Sequence, residues 1–115
     1  MLLRIDTASD QPLFAQVAAA VRAAISQGEA RPGDRLPPAR EVAQGLGVNV
    51  HTVLRAYQDL RDEGLVDLRR GRGAVVTDAA DSIAQLRRDI AELGKRATAL
   101  GMAPATVVAL VRASL

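Results

Sequence analysis

Leu46-Gly47-Val48-Asn49-Val50-His51-Thr52-Val53-Leu54-Arg55-Ala56-Tyr57 is the stretch that decides the fold. Gly47 stops the helix before it, and Asn49 carries a short polar side chain able to cap a new one. Val48 and Val53 stand at the N′ and N4 positions of that new helix, where two apolar side chains pack across a helix start. Upstream, Ala39, Val42, Ala43 and Leu46 repeat at i, i+3, i+4, i+7, which predicts a short helix after Leu36-Pro37-Pro38. Downstream, Val50, Val53, Leu54, Tyr57 and Leu60 form an apolar face that stops at Gly64. Two short helices joined by a three-residue turn containing glycine predict a helix-turn-helix.

Working outward, Asp10-Gln11-Pro12 starts an earlier helix, with proline near its first position and Leu13, Val17, Val21, Ala24 and Ile25 on one face up to Gly28. Leu3 and Ile5 alternate with Arg4 and Asp6, which predicts a short N-terminal strand. Arg31-Pro32-Gly33-Asp34 is turn chemistry. After Gly64 the period changes to two: Val66 and Leu68 alternate with Asp67 and Arg69, Arg70-Gly71-Arg72-Gly73 turns, and Ala74 to Thr77 returns. That is a β-hairpin with an arginine-rich tip. A helix-turn-helix followed by such a hairpin predicts a winged helix-turn-helix.

The C-terminal stretch differs. Ser82 and Gln85 have capping-box spacing, so a helix is expected to begin near Asp78 or Ser82. Ile83, Leu86, Ile90, Leu93, Ala97 and Leu100 alternate gaps of 3 and 4, a heptad seam. Gly101 closes that helix, and Pro104 opens a last one bearing Val107, Val108, Leu110 and Val111. Two helices of this size cannot enclose a core of their own. They need a partner surface, most economically the same segment of a second copy. The same spacing also suits packing within one chain. Ile83, Leu86, Ile90, Leu93, Leu100, Val107, Val108 and Val111 are the candidate dimerisation residues. The expected organisation is mainly α with a small β-hairpin wing. Residues 1–77 form the winged helix, and residues 78–115 form a helical segment for dimerisation or effector binding.

Composition removes several classes of function. The chain has 115 residues, 49% hydrophobic, which suits one globular domain with an appendage. Alanine fills 22 positions, which favours helix. There is no cysteine and one histidine, so disulfide, thiolate and structural zinc chemistry are not expected. The early charges Arg4 and Asp6 argue against a signal peptide, and the longest apolar stretch, Ala103 to Val111, is too short to span a membrane. A cytoplasmic protein is expected. No nucleophile–histidine pair, paired carboxylates or phosphate loop appears, and no cofactor is expected; Arg70-Gly71-Arg72-Gly73 is too short and basic for a nucleotide fingerprint. Net charge is only +2, yet fourteen of the fifteen cations are arginine, the side chain better suited to phosphate and guanine.

Residues 12–76 resemble the GntR-type winged helix-turn-helix of bacterial transcription regulators. The resemblance is carried by Pro12-Leu13-Phe14 with Gln16-Val17, by Gly28-Glu29, and by Pro32-Gly33-Asp34-Arg35-Leu36-Pro37. Arg40-Glu41-Val42-Ala43, Leu46-Gly47-Val48, Thr52-Val53, Arg55-Ala56-Tyr57 and Leu60 continue it, and Glu63-Gly64-Leu65-Val66 with Arg70-Gly71-Arg72-Gly73 complete it. The short helical C-terminal part and the form of the third helix are similar to the YtrA-like subfamily. Its members typically repress their own operon, often one encoding an ABC transporter. Pro38 and Ala39 stand where the family usually has a serine cap and a glutamate, and Val50 and His51 replace the usual polar or proline residues.

The resemblance implies a double-stranded DNA operator as partner and a homodimer as the working form. It implies Arg40 as a backbone contact and the start of the third helix in the major groove. The implied DNA-contacting set is Arg40, Asn49, Val50, His51, Thr52 and Arg55, with Arg69, Arg70, Gly71 and Arg72 in the wing; Arg70 and Arg72 rank ahead of Arg69. A winged helix that binds protein instead of DNA is the alternative. The large effector and aminotransferase-like domains of other GntR proteins have no counterpart in these 115 residues, which leaves a small-molecule effector without assigned residues.

Overall fold

The computed structural model describes residues 3–115. In chain order its elements are α1 (Leu13–Ser26), α2 (Ala39–Leu46), α3 (Val50–Asp62), β1 (Val66–Arg69), β2 (Gly73–Val76), α4 (Ala79–Ala99) and α5 (Pro104–Ser114). They fall into two compact units, Met1–Ala84 and Gln85–Leu115.

In the first unit, α2 follows Pro38 with no side-chain cap, as the loss of the serine foretold. It ends at Gly47, whose φ of +69° lies where a side chain would be strained, and the Val48 N–H closes on the Ala43 carbonyl at 3.0 Å. Asn49 then caps α3: its Oδ1 accepts from the His51 N–H at 2.8 Å. The decisive turn thus forms as the sequence predicts, because both of its devices are local.

The core gathers Val17, Val21 and Ile25 of α1, Val42 and Ala43 of α2, and Val53, Ala56, Tyr57 and Leu60 of α3. Leu36, Leu65, Val66, Ala74 and Val76 close it from the hairpin side. Fully burying a side chain such as Ile25 or Leu60 contributes about 1.5–3 kcal/mol each. Leu54, counted with this face in the sequence, is 40% exposed instead, while Ala56 is fully buried. The α1 helix packs on the Ala56 side of α3 and leaves Leu54 facing outward.

The hairpin is antiparallel, with Val66 opposite Val76 and Arg69 opposite Gly73. Thr77 lies outside the returning strand, and its hydroxyl donates to the Gly64 carbonyl at 2.7 Å. Residues 33–36, of which the sequence presents Gly33 and Asp34 as part of a turn, lie along β2. Val76 donates to Asp34 at 2.8 Å, Leu36 donates to Ala74 at 2.8 Å, and Arg35 bridges to Val75.

The strand expected at Leu3–Ile5 is absent; Met1 and Leu2 lie outside the described residues. Leu3 and Ile5 pack against the core, but the neighbouring backbone pairs with a side chain rather than a strand. The Gln16 amide accepts from the Asp6 N–H at 2.6 Å and donates to the carbonyls of Asp6 and Gln11 at 3.0 and 2.9 Å. No Ser82 capping box forms, because α4 has already begun at Ala79. Ala80 is buried and Ile83 packs against the first unit's core, which takes Ile83 out of the exposed seam. The first unit therefore runs to Ala84, beyond the hairpin's end at Val76.

In the second unit α4 runs unbroken through Gly94 and closes as expected at Gly101, with Gly101 and Met102 donating to the Thr98 and Ala97 carbonyls at 3.0 Å each. Pro104 opens α5. An apolar cleft of about 410 Å³ separates Ile90, Leu93 and Gly94 from Val107, Val108 and Val111. No helix among the described residues is long and apolar enough to cross a membrane.

Tyr57 anchors α3 to the loop before α2. Its ring is buried and its hydroxyl donates to the Pro37 carbonyl at 2.6 Å. Burial pushes its pKa from 10.0 up to about 12. Between those values the unfolded chain loses a proton that the folded chain keeps, so this contribution to stability is intact below pH 10 and lost as pH rises to about 12. Tyr57→Phe should cost about 0.5–1.5 kcal/mol near neutral pH. Urea midpoints across that alkaline range should fall more steeply for the wild type than for the variant.

Candidate nucleic-acid interface

The outward stripe of α3 is set by its buried arc. With Val53, Ala56, Tyr57 and Leu60 inside, the 3.6-residue repeat turns His51, Leu54, Arg55 and Gln58 outward. The stripe has two margins. On the α1 side, the Arg55 guanidinium lies 3.6 Å from the centre of the Phe14 ring. That stacking, a cation over the ring's negative face, holds Arg55 toward the start of α1. On the hairpin side, Leu54 and Gln58 face a cleft of about 550 Å³ that Leu68 and the wing arginines also line.

Four arginines border this cleft, Arg35, Arg69, Arg70 and Arg72, and no aspartate or glutamate does. Arg35 was not among the residues singled out in the sequence. Its Nε donates to the Arg72 carbonyl at 2.9 Å and so braces the wing tip. In the sequence Arg35 appears only within the stretch that carries the family resemblance, just after the turn at residues 31–34, and its pairing beside β2 comes from the fold. At the tip, Gly71 has a φ of +78°, a conformation that a side chain would strain. Arg70 and Arg72 are exposed, and their guanidinium groups have no hydrogen-bond or carboxylate partner among the described residues. Arg69 differs, because Asp67 pairs with it at 3.3 Å.

The other sequence-derived residues fall into two groups. Arg40, the second residue of α2, is exposed and unpaired among the described residues; His51 is exposed and Thr52 half-buried at the start of α3. Asn49 is committed to its cap, and Val50 is half-buried against the core. The acidic residues at the far end of α3 are engaged elsewhere: Glu63 pairs with Arg22 of α1 at 2.6 Å rather than with Arg61, and Asp62 pairs with Arg61 at 3.3 Å. The net charge of +2 thus hides a local contrast: Arg40, Arg70 and Arg72 are unpaired among the described residues, while Asp62 and Glu63 at the far end of α3 are paired. Of the residues assigned to dimerisation, Leu86, Ile90, Leu93, Leu100, Val108 and Val111 are exposed, Val107 is half-buried, and Ile83 is half-buried against the first unit's core.

A helix-turn-helix, a hairpin wing and an arginine-bordered cleft between them define a winged helix of the nucleic-acid-binding class. Residues 13–76 match the family described as bacterial regulatory proteins, gntR family, and the chain belongs to that family. It is 34% identical over 79 residues to the HTH-type transcriptional repressor YtrA of Bacillus subtilis, a match covering 69% of this chain and 61% of that one. Its fold is similar to that of YtrA from Sulfolobus acidocaldarius, a GntR-family transcription factor, with TM-score 0.63 and 36% identity over 79% of this chain and 99% of that one. It is also similar to the AraR DNA-binding domain solved in complex with operator ORX1, with TM-score 0.58 and 32% identity over 65% of this chain and 93% of that one. These relatives are named for regulation and DNA binding, not catalysis. The YtrA-like reading of the sequence, the winged helix and the non-enzymatic class all agree with them.

Proposed function

We propose that this chain is a dimeric repressor that binds a near-palindromic operator at its own operon in the cytoplasm, with ABC-transporter genes as expected neighbours. One observation carries the reading. The only arginines at the wing tip, Arg70 and Arg72, stand unpaired among the described residues beside an acid-free cleft and the outward face of α3. Arg40 and the wing supply phosphate contacts, and hence affinity; His51, Thr52 and the exposed stripe of α3 supply specificity from the major groove. Val50 and Asn49 shape the helix start more than they touch bases. Arg55 approaches DNA from its seat on Phe14, which suits a phosphate at the groove's edge.

The second copy is proposed to cover the exposed apolar side chains of α4 and α5 and their cleft. Repression is supported by the name of the Bacillus relative. Selection of bound fragments from genomic DNA tests the proposal. The region upstream of the chain's own gene should be enriched and should shift in a gel. Fragments with no common sequence would remove the repressor reading.

A further inference from the structure

Leu54 is the one large apolar side chain on the outward stripe of α3, and it is 40% exposed. It sits one turn from His51 and Gln58 and faces the cleft that Arg70 and Arg72 border. Its surroundings are built for a polyanion: four arginines, no carboxylate, and unpaired guanidinium groups at the tip. The neighbouring long side chain, Arg55, is turned the other way onto Phe14. A helix laid in the major groove by the wing and Arg40 would therefore present Leu54, not Arg55, to the bases on the wing side.

The edges of guanine, cytosine and adenine in the major groove present mainly hydrogen-bond donors and acceptors, and the thymine C5 methyl is the only methyl group there. Leucine against a polar edge would strip water from groups it cannot satisfy. Against a methyl it gains buried apolar surface. We infer that Leu54 is a specificity residue that reads thymine methyl groups from α3. Val50 does not share this role, being half-buried against the core.

This rests on the DNA-binding reading, and the experiment separates the two. Wild-type full chain first selects duplexes from random-sequence DNA. Each thymine of a selected duplex is then replaced in turn by deoxyuridine, which deletes only the methyl. One or two replacements per half-site should weaken wild-type binding by about fourfold, the effect of one buried methyl. Leu54→Ala should bind the thymine and uracil duplexes equally, and Leu54→Met should retain the preference. Wild-type indifference to every replacement, selected half-sites that lack thymine, or undiminished methyl sensitivity in Leu54→Ala would each overturn the inference while leaving DNA binding intact. Failure of the wild type to select any sequence would overturn the DNA-binding reading and this inference together.

Discussion

Arg70→Ala combined with Arg72→Ala is expected to weaken binding roughly sixtyfold per half-site at 0.1 M salt, and so by about 10³–10⁴ for a dimer on both half-sites, with the loss shrinking toward zero near 1 M. Each guanidinium that neutralises a phosphate releases counterions, and a dimer carries both wings, so losing two per copy should lower the slope of log K against log salt by about 4. The two side chains qualify because they are exposed and unpaired among the described residues. Arg69→Ala is the internal comparison, since its guanidinium is already paired with Asp67 at 3.3 Å. Its effect should be smaller. None of these positions contributes to the core, so the variants should melt with the wild type. An unchanged salt slope in the double variant would remove the wing from the interface.

A comparable loss is expected when the exposed face of the second unit is charged. Ile90 and Leu93 are 58% and 41% exposed although both are large and apolar. They line the apolar cleft facing Val107, Val108 and Val111. Ile90→Glu with Leu93→Glu leaves both carboxylates partly solvated in a single chain, but it places them in the face proposed for the second copy, where they would be desolvated. Sedimentation should shift from dimer to monomer while helical content stays unchanged. Operator affinity should then fall by about 10²–10⁴, because the second half-site is no longer held at high effective concentration. A variant that remains dimeric, or a wild type that is monomeric at micromolar concentration, would refute this interface.

Local signals made most of the fold legible. Asn49 announces a cap, Gly47 a left-handed stop and Pro104 a helix start, and each acts within a few residues of itself. The signals that failed depend on what lies across the fold. The buried arc of α3 was read as centred on Tyr57, with Leu54 inside. It is rotated toward Ala56, because α1 supplies the covering surface and hydropathy does not say which margin a neighbour will cover. Leu3 and Ile5 have strand alternation, yet the backbone at Asp6 pairs with the Gln16 amide, a partner that no period reveals. The strip 33–36 gains its strand character only from β2.

The candidate site divides the same way. That Arg70, Gly71 and Arg72 would be exposed was legible because a hairpin tip exposes its residues whatever it packs against. Arg35, which braces that tip, and Leu54, which faces the cleft, were missed because their positions follow from tertiary packing. The seam of α4 was legible as a pattern, but the fold takes its first member, Ile83, into the other unit's core.

The central claim is that two copies of this winged helix read one operator. Footprinting the wild-type chain on a duplex selected by binding tests it most directly. Two protected half-sites related by near-palindromic sequence are expected. Their centres should lie one helical turn apart, about 10–10.5 base pairs, or a multiple of that. A single protected half-site, or uniform protection without sequence preference, would contradict it.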